Sequence, residues 1–318
     1  MDWKANYVSQ QLAGFSFREI NMINTCLFGD AEQCLESLLP EYAGKIQMCV
    51  TSPPYFGLRD YGLPGQIGIE DTVEEYVQKL VSVFDIVWDL LADNGTLWLN
   101  LGDSYAGSGK GRYSNNRAYP TGMQATNKGN VSGKLKKTQL SGNLKPKDLI
   151  GVPWLVAFAL RNRGWYLRQD IIWNKKNVMP EPIKDRCTRS HEYIFLFSKK
   201  RKYFFNHEAI KEPTVYLKDQ KRNKRSVWTL PNQTAHIKHN AAFPPDLIIA
   251  PIFAGSNEGD IVLDPFMGSG TTAGVAAGLK RNWIGCELNE ENKDIQTDRI
   301  IKLQTKIRNE NSQHMLAI

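Results

Sequence analysis

The stretch Ile261–Thr271, IVLDPFMGSGT, combines a short apolar run, a glycine-rich loop and the beginning of a helical pattern. The apolar run predicts a buried strand that ends at Asp264, and Gly268 and Gly270 allow the backbone to turn tightly after it. Free N–H groups at the start of the following helix would face a ligand at the carboxyl end of the strand. This order of strand, loop and helix is typical of a ligand site in an open α/β sheet.

A second predicted strand, Trp283–Cys286, ends at Glu287, where an acidic residue can accept hydrogen bonds from both hydroxyls of a ribose. The loop departs from the Gly-x-Gly-x-x-Gly pattern of dinucleotide sites, because Ala273 replaces the third glycine and Asp264 precedes the turn. A carboxylate there disfavours a pyrophosphate and tolerates a cation. S-adenosyl-L-methionine has no phosphate and carries a sulfonium, so the loop suits this cofactor better than NAD.

The rest of the chain alternates predicted helices and strands and contains no internal repeat. Apolar periodicity predicts helices over 31–39, 72–91, 152–161, 246–252, 271–279 and from 290 onward, the first ended by Pro40 and the second capped by Asp71 or Thr72. Short apolar runs predict strands over 46–50, 96–101, 166–173, 193–197, 261–263 and 283–286, with a turn at Asn94-Gly95 before the second. The pattern predicts one α/β domain over 1–318, with a mainly parallel sheet and helices on both faces.

The positive charge is concentrated in two segments. The whole sequence has a net charge of +7, whereas 104–147 holds nine lysines and arginines and no acidic residue, and 174–238 holds sixteen against six. The remainder of the chain is acidic overall. Solvated loops would explain either segment alone, but two basic segments in an otherwise acidic chain favour contacts with nucleic-acid phosphates. Residues 106–147, rich in Gly, Ser, Asn, Thr and Lys, are predicted to form a flexible basic insertion.

Several features point to a cytoplasmic protein without metal. No apolar run approaches the ~20 residues that a membrane-spanning helix needs, and the N-terminus lacks the pattern of a signal peptide. The five cysteines form no Cys-x-x-Cys pair and are odd in number, which disfavours a disulfide framework or a zinc site. His191-Glu192 suggests a metal ligand or a general base, but no second ligand lies at metal spacing, so a structural or DNA-side role is predicted.

The run Ile46–Val50 predicts a buried strand, and Thr51-Ser52-Pro53-Pro54-Tyr55 follows it directly. The prolines fix φ and lack N–H groups, so backbone carbonyls there stay available beside the Ser52 hydroxyl and the Tyr55 ring. Such a set accepts both hydrogens of an exocyclic amine, raises the lone-pair density of its nitrogen for attack on a methyl group, and stacks on the attached ring. A proline turn would explain the string alone. Its occurrence together with the glycine-rich loop in one chain favours a catalytic site.

Together and in this order, the two motifs resemble those of the circularly permuted β class of DNA amino-methyltransferases, in which the catalytic motif precedes the cofactor motif. Further stretches resemble the remaining motifs of that class: Gly29-Asp30, Trp98–Tyr105, Trp173–Lys175, and His239 with Phe243-Pro244. The resemblance implies a permuted, Rossmann-like α/β fold with a seven-stranded mixed sheet, one antiparallel strand and inserted basic DNA-recognition segments. It also implies S-adenosyl-L-methionine as cofactor and double-stranded DNA as substrate, with the target base flipped out of the stack.

The resemblance also assigns residues. Those implied for catalysis are Ser52, Pro53, Pro54 and Tyr55. Those implied for cofactor binding are Asp30, Thr51, Phe243, Pro244, Asp264, Pro265, Phe266, Gly268, Gly270, Thr271 and Glu287. Target recognition is expected over about 176–238 and the cofactor-binding part over 239–289, and the residues predicted to contact DNA are Lys134, Lys136, Lys137, Arg186, Arg189, Arg222, Lys224 and Arg225. Members of the class occur as monomers or homodimers, and a cognate restriction endonuclease is an expected partner.

Ser52 bears on the choice of base. In the family, serine at this position is commoner in enzymes that methylate the 4-amino group of cytosine, and Asp or Asn in those that methylate the 6-amino group of adenine. Cytosine is therefore predicted and adenine is the alternative. Methylation of cytosine C5 needs a Pro-Cys nucleophile, and the sequence has no Pro-Cys pair. A nucleotide-dependent oxidoreductase would leave Ser52–Tyr55 unexplained, and a non-catalytic DNA-binding protein would not need both motifs intact.

Overall fold

The computed structural model describes residues 22–107, 142–178, 180–214, 220–232 and 243–316. Lys134, Lys136, Lys137 and most of the predicted insertion therefore lie outside the described residues, as does His239. Within the described ranges, helices alternate with strands as the sequence predicts. No helix in these ranges is both long enough and apolar enough to cross a membrane.

The helices follow the predicted pattern. Over the described residues they are α1 (Ala31–Tyr42), α2 (Val73–Leu90), α3 (Val152–Asn162), α4 (Asp246–Gly255), α5 (Thr271–Gly278) and α6 (Asn292–Leu316), with a 3₁₀ turn at Glu208–Ile210. Thr72 caps α2: its side chain accepts the Glu75 N–H while the Glu75 side chain accepts the Thr72 N–H. The prediction that α1 ends at Pro40 is wrong. Buried Leu38 and Tyr42 hold its last turn in place although proline lacks an N–H.

The strands are β1 (Thr25–Phe28), β2 (Ile46–Thr51), β3 (Leu91–Leu101), β4 (Tyr166–Lys175), β5 (His191–Ser198), β6 (Glu212–Pro213), β7 (Lys221–Arg222), β8 (Val227–Leu230), β9 (Ile261–Asp264) and β10 (Asn282–Glu287). β3 begins at Leu91 and not after the predicted turn at Asn94-Gly95. Its pairing with β2 is irregular there, because Ile46 pairs with Leu91 whereas Met48 pairs with Thr96. The irregularity explains why a local turn pattern lies inside a strand.

One sheet joins eight of these strands in the order β1-β10-β9-β2-β3-β5-β4-β8, and β6 and β7 form a separate pair. β5 is antiparallel to both β3 and β4, and the other strands of the large sheet run parallel. The prediction of one antiparallel strand is confirmed. The prediction of seven strands in the sheet is wrong, because β8 is an eighth strand at its edge. That strand lies in the segment 206–239, which lacks periodicity, and only Trp228 in it is buried. A strand of four residues is too short for the alternation of buried and exposed side chains to be recognised in the sequence.

Side chains alternate along the strands between two hydrophobic clusters. Leu97, Leu99 and Leu101 of β3 pack with buried residues of α1, α2 and α3, whereas Trp98 packs with those of α4 and α5. Because successive strand residues point to opposite faces, the two clusters lie on opposite sides of the sheet. The protein is thus a three-layer α/β structure with helices on both faces, as predicted, and the carboxyl ends of its parallel strands share one edge.

Candidate active site

The two predicted motifs meet at that edge. β2 pairs in parallel with β9, so the catalytic loop after β2 and the glycine-rich loop after β9 begin side by side. The Thr51 hydroxyl donates to Oδ1 of Asp264 at 2.6 Å, a contact between residues 213 positions apart. Both side chains are buried. The hydrogen bond therefore fixes the catalytic loop relative to the cofactor loop.

The Asp264 carboxylate holds together several parts of the scaffold. Besides Thr51, it accepts the Thr272 hydroxyl at 2.5 Å and the Phe266 N–H at 3.0 Å. Burial raises the pKa of this carboxyl group, and the three hydrogen bonds oppose that shift. Asp264 thus joins the end of the catalytic strand, the cofactor loop and the start of α5. Direct contact of its side chain with a cofactor stays a prediction.

Glu287 lies at the end of β10 and faces the glycine-rich turn. Its Oε2 accepts the Gly268 N–H at 2.8 Å, and its Oε1 accepts the Asn289 N–H and the Asn292 side-chain amide. Gly268 and Gly270 have φ of +53° and +81°, a region that residues with a side chain adopt at a cost. Burial raises the pKa of Glu287, and the same three donors oppose the shift. The turn thus places the Glu287 carboxylate next to Gly268, where the backbone carries no side chain.

Asp30 lies beside this acidic strand end, because β1 pairs with β10 in a register that sets Phe28 opposite Glu287. Its side chain accepts the Gln33 N–H at 3.2 Å and caps α1. The remaining predicted cofactor residues lie in the loop itself or before α4. Pro265 and Thr271 are buried, Phe266 packs half-buried on the cluster below α1 to α3, and Phe243 and Pro244 precede α4 on the opposite face.

Helix α6 supports the cofactor loop, which the sequence did not predict. The Gln296 side chain donates to the Gly268 carbonyl at 2.7 Å, and Arg299 donates to the Thr271 hydroxyl at 2.9 Å. A Cβ at Gly274 of α5 would lie 2.7 Å from Cβ of Leu303, so the two helices touch where α5 lacks side chains. A run of small residues along α5 was the available signal.

Tyr55 is the centre of the catalytic loop. The Ser52 hydroxyl donates to Tyr55 Oη at 3.3 Å, and Tyr55 Oη lies 2.7 Å from Oε2 of Glu192 and 3.1 Å from the Asn100 side-chain oxygen. Burial and the nearby Glu192 charge raise the pKa of the Tyr55 phenol well above its usual range, so the group stays a protonated donor. The backbone carbonyl of Pro54 accepts the hydroxyl of buried Tyr76 at 2.9 Å, which anchors the loop to α2.

Glu192 contacts Tyr55 because β5 runs antiparallel to its neighbours in the sheet. β5 is antiparallel, so its first residues lie at the edge where β3 and β4 end. Asn100 of β3 donates to Glu192 Oε2 at 3.2 Å, and Lys175 at the end of β4 pairs with Glu192 Oε1. These three residues were not among the predicted site residues. The sequence predicted a structural or DNA-side role for His191-Glu192, and the structure places Glu192 against the catalytic loop, where it accepts hydrogen bonds from Tyr55 and Asn100.

Most of the described basic residues predicted to contact DNA are engaged with acidic or aromatic neighbours. Arg186 pairs with Glu181 at 2.7 Å, Arg189 with Asp103 at 3.6 Å and Arg222 with Glu212 at 3.0 Å. The side chain of Arg225 is 64% exposed, 3.9 Å from Glu212, and Lys224 lies over the Trp228 ring. Arg225 is the most exposed of these four arginines and is therefore the best placed of them for a phosphate, and the contact of all five residues with DNA stays a prediction. No group of three His, Cys, Asp or Glu in the described ranges is placed to hold a metal ion.

Comparison with known proteins agrees with this geometry. The DNA methylase family matches residues 46–298. Type II methyltransferase M.SmaI from Serratia marcescens is 46% identical over 276 residues, which cover 87% of this chain and 90% of that protein. Type II methyltransferase M.Cfr9I from Citrobacter freundii is 43% identical over 278 residues, or 87% of each chain.

Solved structures share the fold. PvuII DNA methyltransferase (cytosine-N4-specific) matches with a TM-score of 0.61 and 19% identity, covering 90% of this chain and 92% of that one. A protein from Thermus thermophilus, described as a DNA modification methylase and complexed with S-adenosyl-L-methionine, matches with a TM-score of 0.56 and 25% identity over 88% of this chain and 95% of that one.

The sheet, the paired loops and these likenesses define a class of enzyme, the methyltransferases that use S-adenosyl-L-methionine to modify an amino group of a base in DNA. The chain belongs to the DNA methylase family and is an amino-methyltransferase of the N4/N6 type, with relatives among the type II modification enzymes. Its cofactor is S-adenosyl-L-methionine. The glycine turn at Gly268 and the acceptor at Glu287 fit a ligand with hydroxyl groups and a close approach to the loop.

Proposed function

We propose that this enzyme methylates the 4-amino group of cytosine in double-stranded DNA. The observation that supports transfer to an exocyclic amine is the hydrogen bond that the Ser52 hydroxyl donates to Tyr55 Oη, because it leaves the lone pairs of the Ser52 oxygen to accept an N–H of the target amine. The Pro53 carbonyl accepts the other N–H, and the base stacks on the Tyr55 ring. S-adenosyl-L-methionine supplies an electrophilic methyl group on its sulfonium sulfur.

The residues of this chain position the reacting atoms and need no covalent intermediate. Accepting both hydrogens directs the amine lone pair along the line of transfer, and this positioning together with hydrogen bonding supplies most of the rate gain. The target base must leave the helix to reach Ser52, at a cost of a few kcal/mol. Glu287 and Asp30, at neighbouring strand ends, are the acidic groups that would hold the hydroxyl and adenine parts of the cofactor.

Two observations support cytosine over adenine. Serine at position 52 is the residue that the resemblance associates with cytosine 4-amino enzymes. The PvuII enzyme, which is named as cytosine-N4-specific, shares the fold over 90% of this chain. Adenine is the second candidate, because its 6-amino group would be accepted by the same hydroxyl and carbonyl.

Sequence recognition is proposed for residues 176–238. This segment contributes the edge strand β8 and the pair β6–β7, and it carries the exposed Arg225 and the half-buried Lys224. Basic side chains at such an edge would contact phosphates or guanine edges in the major groove. A cognate restriction endonuclease, a cytoplasmic location and a monomeric or homodimeric state belong to the same proposal.

The base is identified by incubating the protein with methyl-labelled S-adenosyl-L-methionine and DNA and analysing the nucleosides by mass spectrometry. We expect label in N4-methylcytosine and none in N6-methyladenine. Label on adenine alone would overturn the cytosine assignment. As a control, Tyr55→Ala should abolish transfer while cofactor binding, measured by calorimetry, persists. A Tyr55→Ala variant with normal turnover would show that the catalytic loop has been placed wrongly.

A further inference from the structure

A continuous chain of hydrogen bonds leads from Ser52 away from the substrate side of the catalytic loop. Ser52 donates to Tyr55 Oη at 3.3 Å, and Tyr55 donates to Glu192 Oε2 at 2.7 Å. Lys175 pairs with the other oxygen of Glu192, and the side chains of Glu192 and Lys175 are only 13% and 19% exposed. The chain therefore ends at a largely buried carboxylate with a cation beside it.

Methyl transfer to an amine creates a proton that must leave. The nitrogen lone pair forms the new N–C bond while the S–C bond breaks and its electron pair stays on sulfur, which leaves a cationic nitrogen that carries both of its hydrogens. One of these protons has to be lost to give the neutral methylamino base. Ser52 is the proposed acceptor of an N–H from this amine, so the hydrogen-bond chain begins at the acidic hydrogen.

We propose that Glu192 is the final acceptor of this proton, reached through the hydroxyls of Ser52 and Tyr55. One proton passes from the amine nitrogen to Ser52 Oγ as the Ser52 proton passes to Tyr55 Oη and the Tyr55 proton passes to Glu192 Oε2. The products are a neutral methylated base, S-adenosylhomocysteine and a protonated Glu192, and both hydroxyls are restored. Glu192 then releases the proton to solvent.

Two other acids at this edge of the sheet, Asp264 and Asp103, are already committed elsewhere. Asp264 accepts Thr51, Thr272 and the Phe266 N–H. Asp103 accepts the N–H groups of Gly151 and Val152 and pairs with Arg189. Among the described acids, Glu192 is the one that a phenol of the catalytic loop contacts directly. Asn100, which donates to the same oxygen, fixes the direction of that contact.

This assignment rests on the proposed role of Ser52 and not on the choice of base, since both candidate amines lose a proton. Glu192 does not touch the substrate, so it is a positioning and proton-accepting residue. An orienting role alone would need only a hydrogen-bond acceptor for Tyr55. The carboxylate and an amide oxygen are alike in that respect, and they differ in the ability to take up a proton.

The test compares single-turnover methyl transfer, at saturating DNA and cofactor, in the wild type, Tyr55→Phe, Glu192→Gln and the double variant Lys175→Met/Glu192→Gln. The double variant removes the cation, so the Gln amide oxygen is free to accept from Tyr55. Loss of a general base typically lowers a rate about 10²- to 10⁴-fold, and we expect at least about 100-fold in each variant with unchanged dissociation constants for DNA and cofactor. Tyr55→Phe combined with Glu192→Gln should be no slower than either change alone.

The dependence of the rate on pH separates proton acceptance from orientation. The titratable or charged groups that face Glu192 are Tyr55 of the catalytic loop, Lys175 of β4 and His191 on its own strand, with Arg189 beyond it. The wild-type rate should fall towards acid, because a carboxylate can accept a proton and a carboxylic acid cannot, and this fall should be absent in Lys175→Met/Glu192→Gln. His191→Asn is the control and should keep the acid fall.

A near-normal rate in Lys175→Met/Glu192→Gln, or an acid fall that persists in it, would overturn the assignment. The assignment would also be overturned if the loss of rate in Tyr55→Phe/Glu192→Gln equalled the product of the losses in the two single variants, because that result would show two independent effects. The nucleoside analysis distinguishes a wrong assignment of the proton acceptor from a wrong proposed function. If the Glu192 variants formed methylcytosine at a normal rate, only the role of Glu192 as proton acceptor would be refuted.

Discussion

The cofactor loop and the catalytic loop lie side by side but are held in different ways. Apart from the hydrogen bond of Thr51 to Asp264 that joins the two loops, contacts of the cofactor loop come from nearby in the chain: Glu287 binds Gly268 from 19 positions away, and Gln296 and Arg299 bind the loop from 28. Contacts of the catalytic loop come from Tyr76, Asn100 and Glu192, which are 22, 45 and 137 positions from their partners. The cofactor loop is thus largely a local structure, whereas the catalytic loop depends on distant strands of the sheet.

The largest effect should come from disturbing the distant support of Tyr55. A Cβ at Gly102 would lie 2.6 Å from Cε2 of Tyr55, whose hydroxyl is anchored, so the ring must move in Gly102→Ala. Misplacement of a catalytic group by about 1 Å can lower the rate about 100-fold, and we expect a loss of that size in kcat. Stopped-flow or quench-flow methyl transfer measures it.

Cofactor binding provides the control for Gly102→Ala. The atoms nearest to a Cβ at Gly102 all belong to Tyr55 and not to the cofactor loop, so the dissociation constant for S-adenosyl-L-methionine should stay at the wild-type value. A normal kcat in Gly102→Ala would show that the ring position is not critical. A weakened cofactor affinity would show that the two loops are less separate than their contacts indicate.

An intermediate effect should follow from cutting the hydrogen bond that joins the two loops. Thr51→Val keeps the shape of the side chain and removes the donor to Asp264. A hydrogen bond to a charged group contributes about 1.5–3 kcal/mol, so the free energy of unfolding should fall by about 2 kcal/mol in urea titrations. Both kcat and cofactor affinity should suffer, because the bond sets the relative position of the loops.

Thr272→Val is the matched control, since Thr272 also donates to Asp264 but lies within the cofactor half. Its stability loss should be similar to that of Thr51→Val. Its kcat at saturating cofactor should stay near the wild-type value, while its cofactor affinity falls. Equal kinetic profiles in the two valine variants would contradict a bridging role for Thr51.

The smallest effect is expected when the contact between α5 and α6, which supports the cofactor loop, is disturbed. Gly274→Ala places a Cβ 2.7 Å from Cβ of Leu303 and forces α6 away from α5. Overpacking costs about 1–3 kcal/mol, and the higher helix propensity of alanine offsets about 1 kcal/mol of it. A net loss of about 1 kcal/mol in unfolding free energy, with weaker cofactor binding and unchanged kcat, is expected. A stabilised variant would show that α6 adjusts freely.

The sequence predicted the fold where patterns are local and long. The strands and helices around Ile261–Glu287 were placed to within one or two residues, because an apolar run, glycines and an acidic strand end occur there within 27 residues. The errors occurred where tertiary contacts prevail over local preference. α1 continues past Pro40, β3 begins before Asn94-Gly95, and β8 adds an edge strand with a single buried residue.

The candidate site, like the fold, could be predicted only in part. The string Thr51–Tyr55 and the Asp264–Thr271 loop could be identified from residue types, and the structure brings them together through the pairing of β2 with β9. Glu192, Asn100 and Lys175 could not be assigned to the site, since no local pattern shows that β5 runs antiparallel between β3 and β4. The charge count of the basic segments did not reveal that Arg186, Arg189 and Arg222 are paired with acids.

By itself, the sequence determined the chemistry of the two loops: an amine acceptor set at Ser52–Tyr55 and a backbone turn with an acid at Gly268–Glu287. Only the tertiary structure decided which groups hold Tyr55 and where a proton can travel from it. The physical reason is the range of the contacts. Turn geometry and helix starts depend on neighbouring residues, whereas a buried phenol, a carboxylate and an ammonium group meet only after strands from distant parts of the chain have paired.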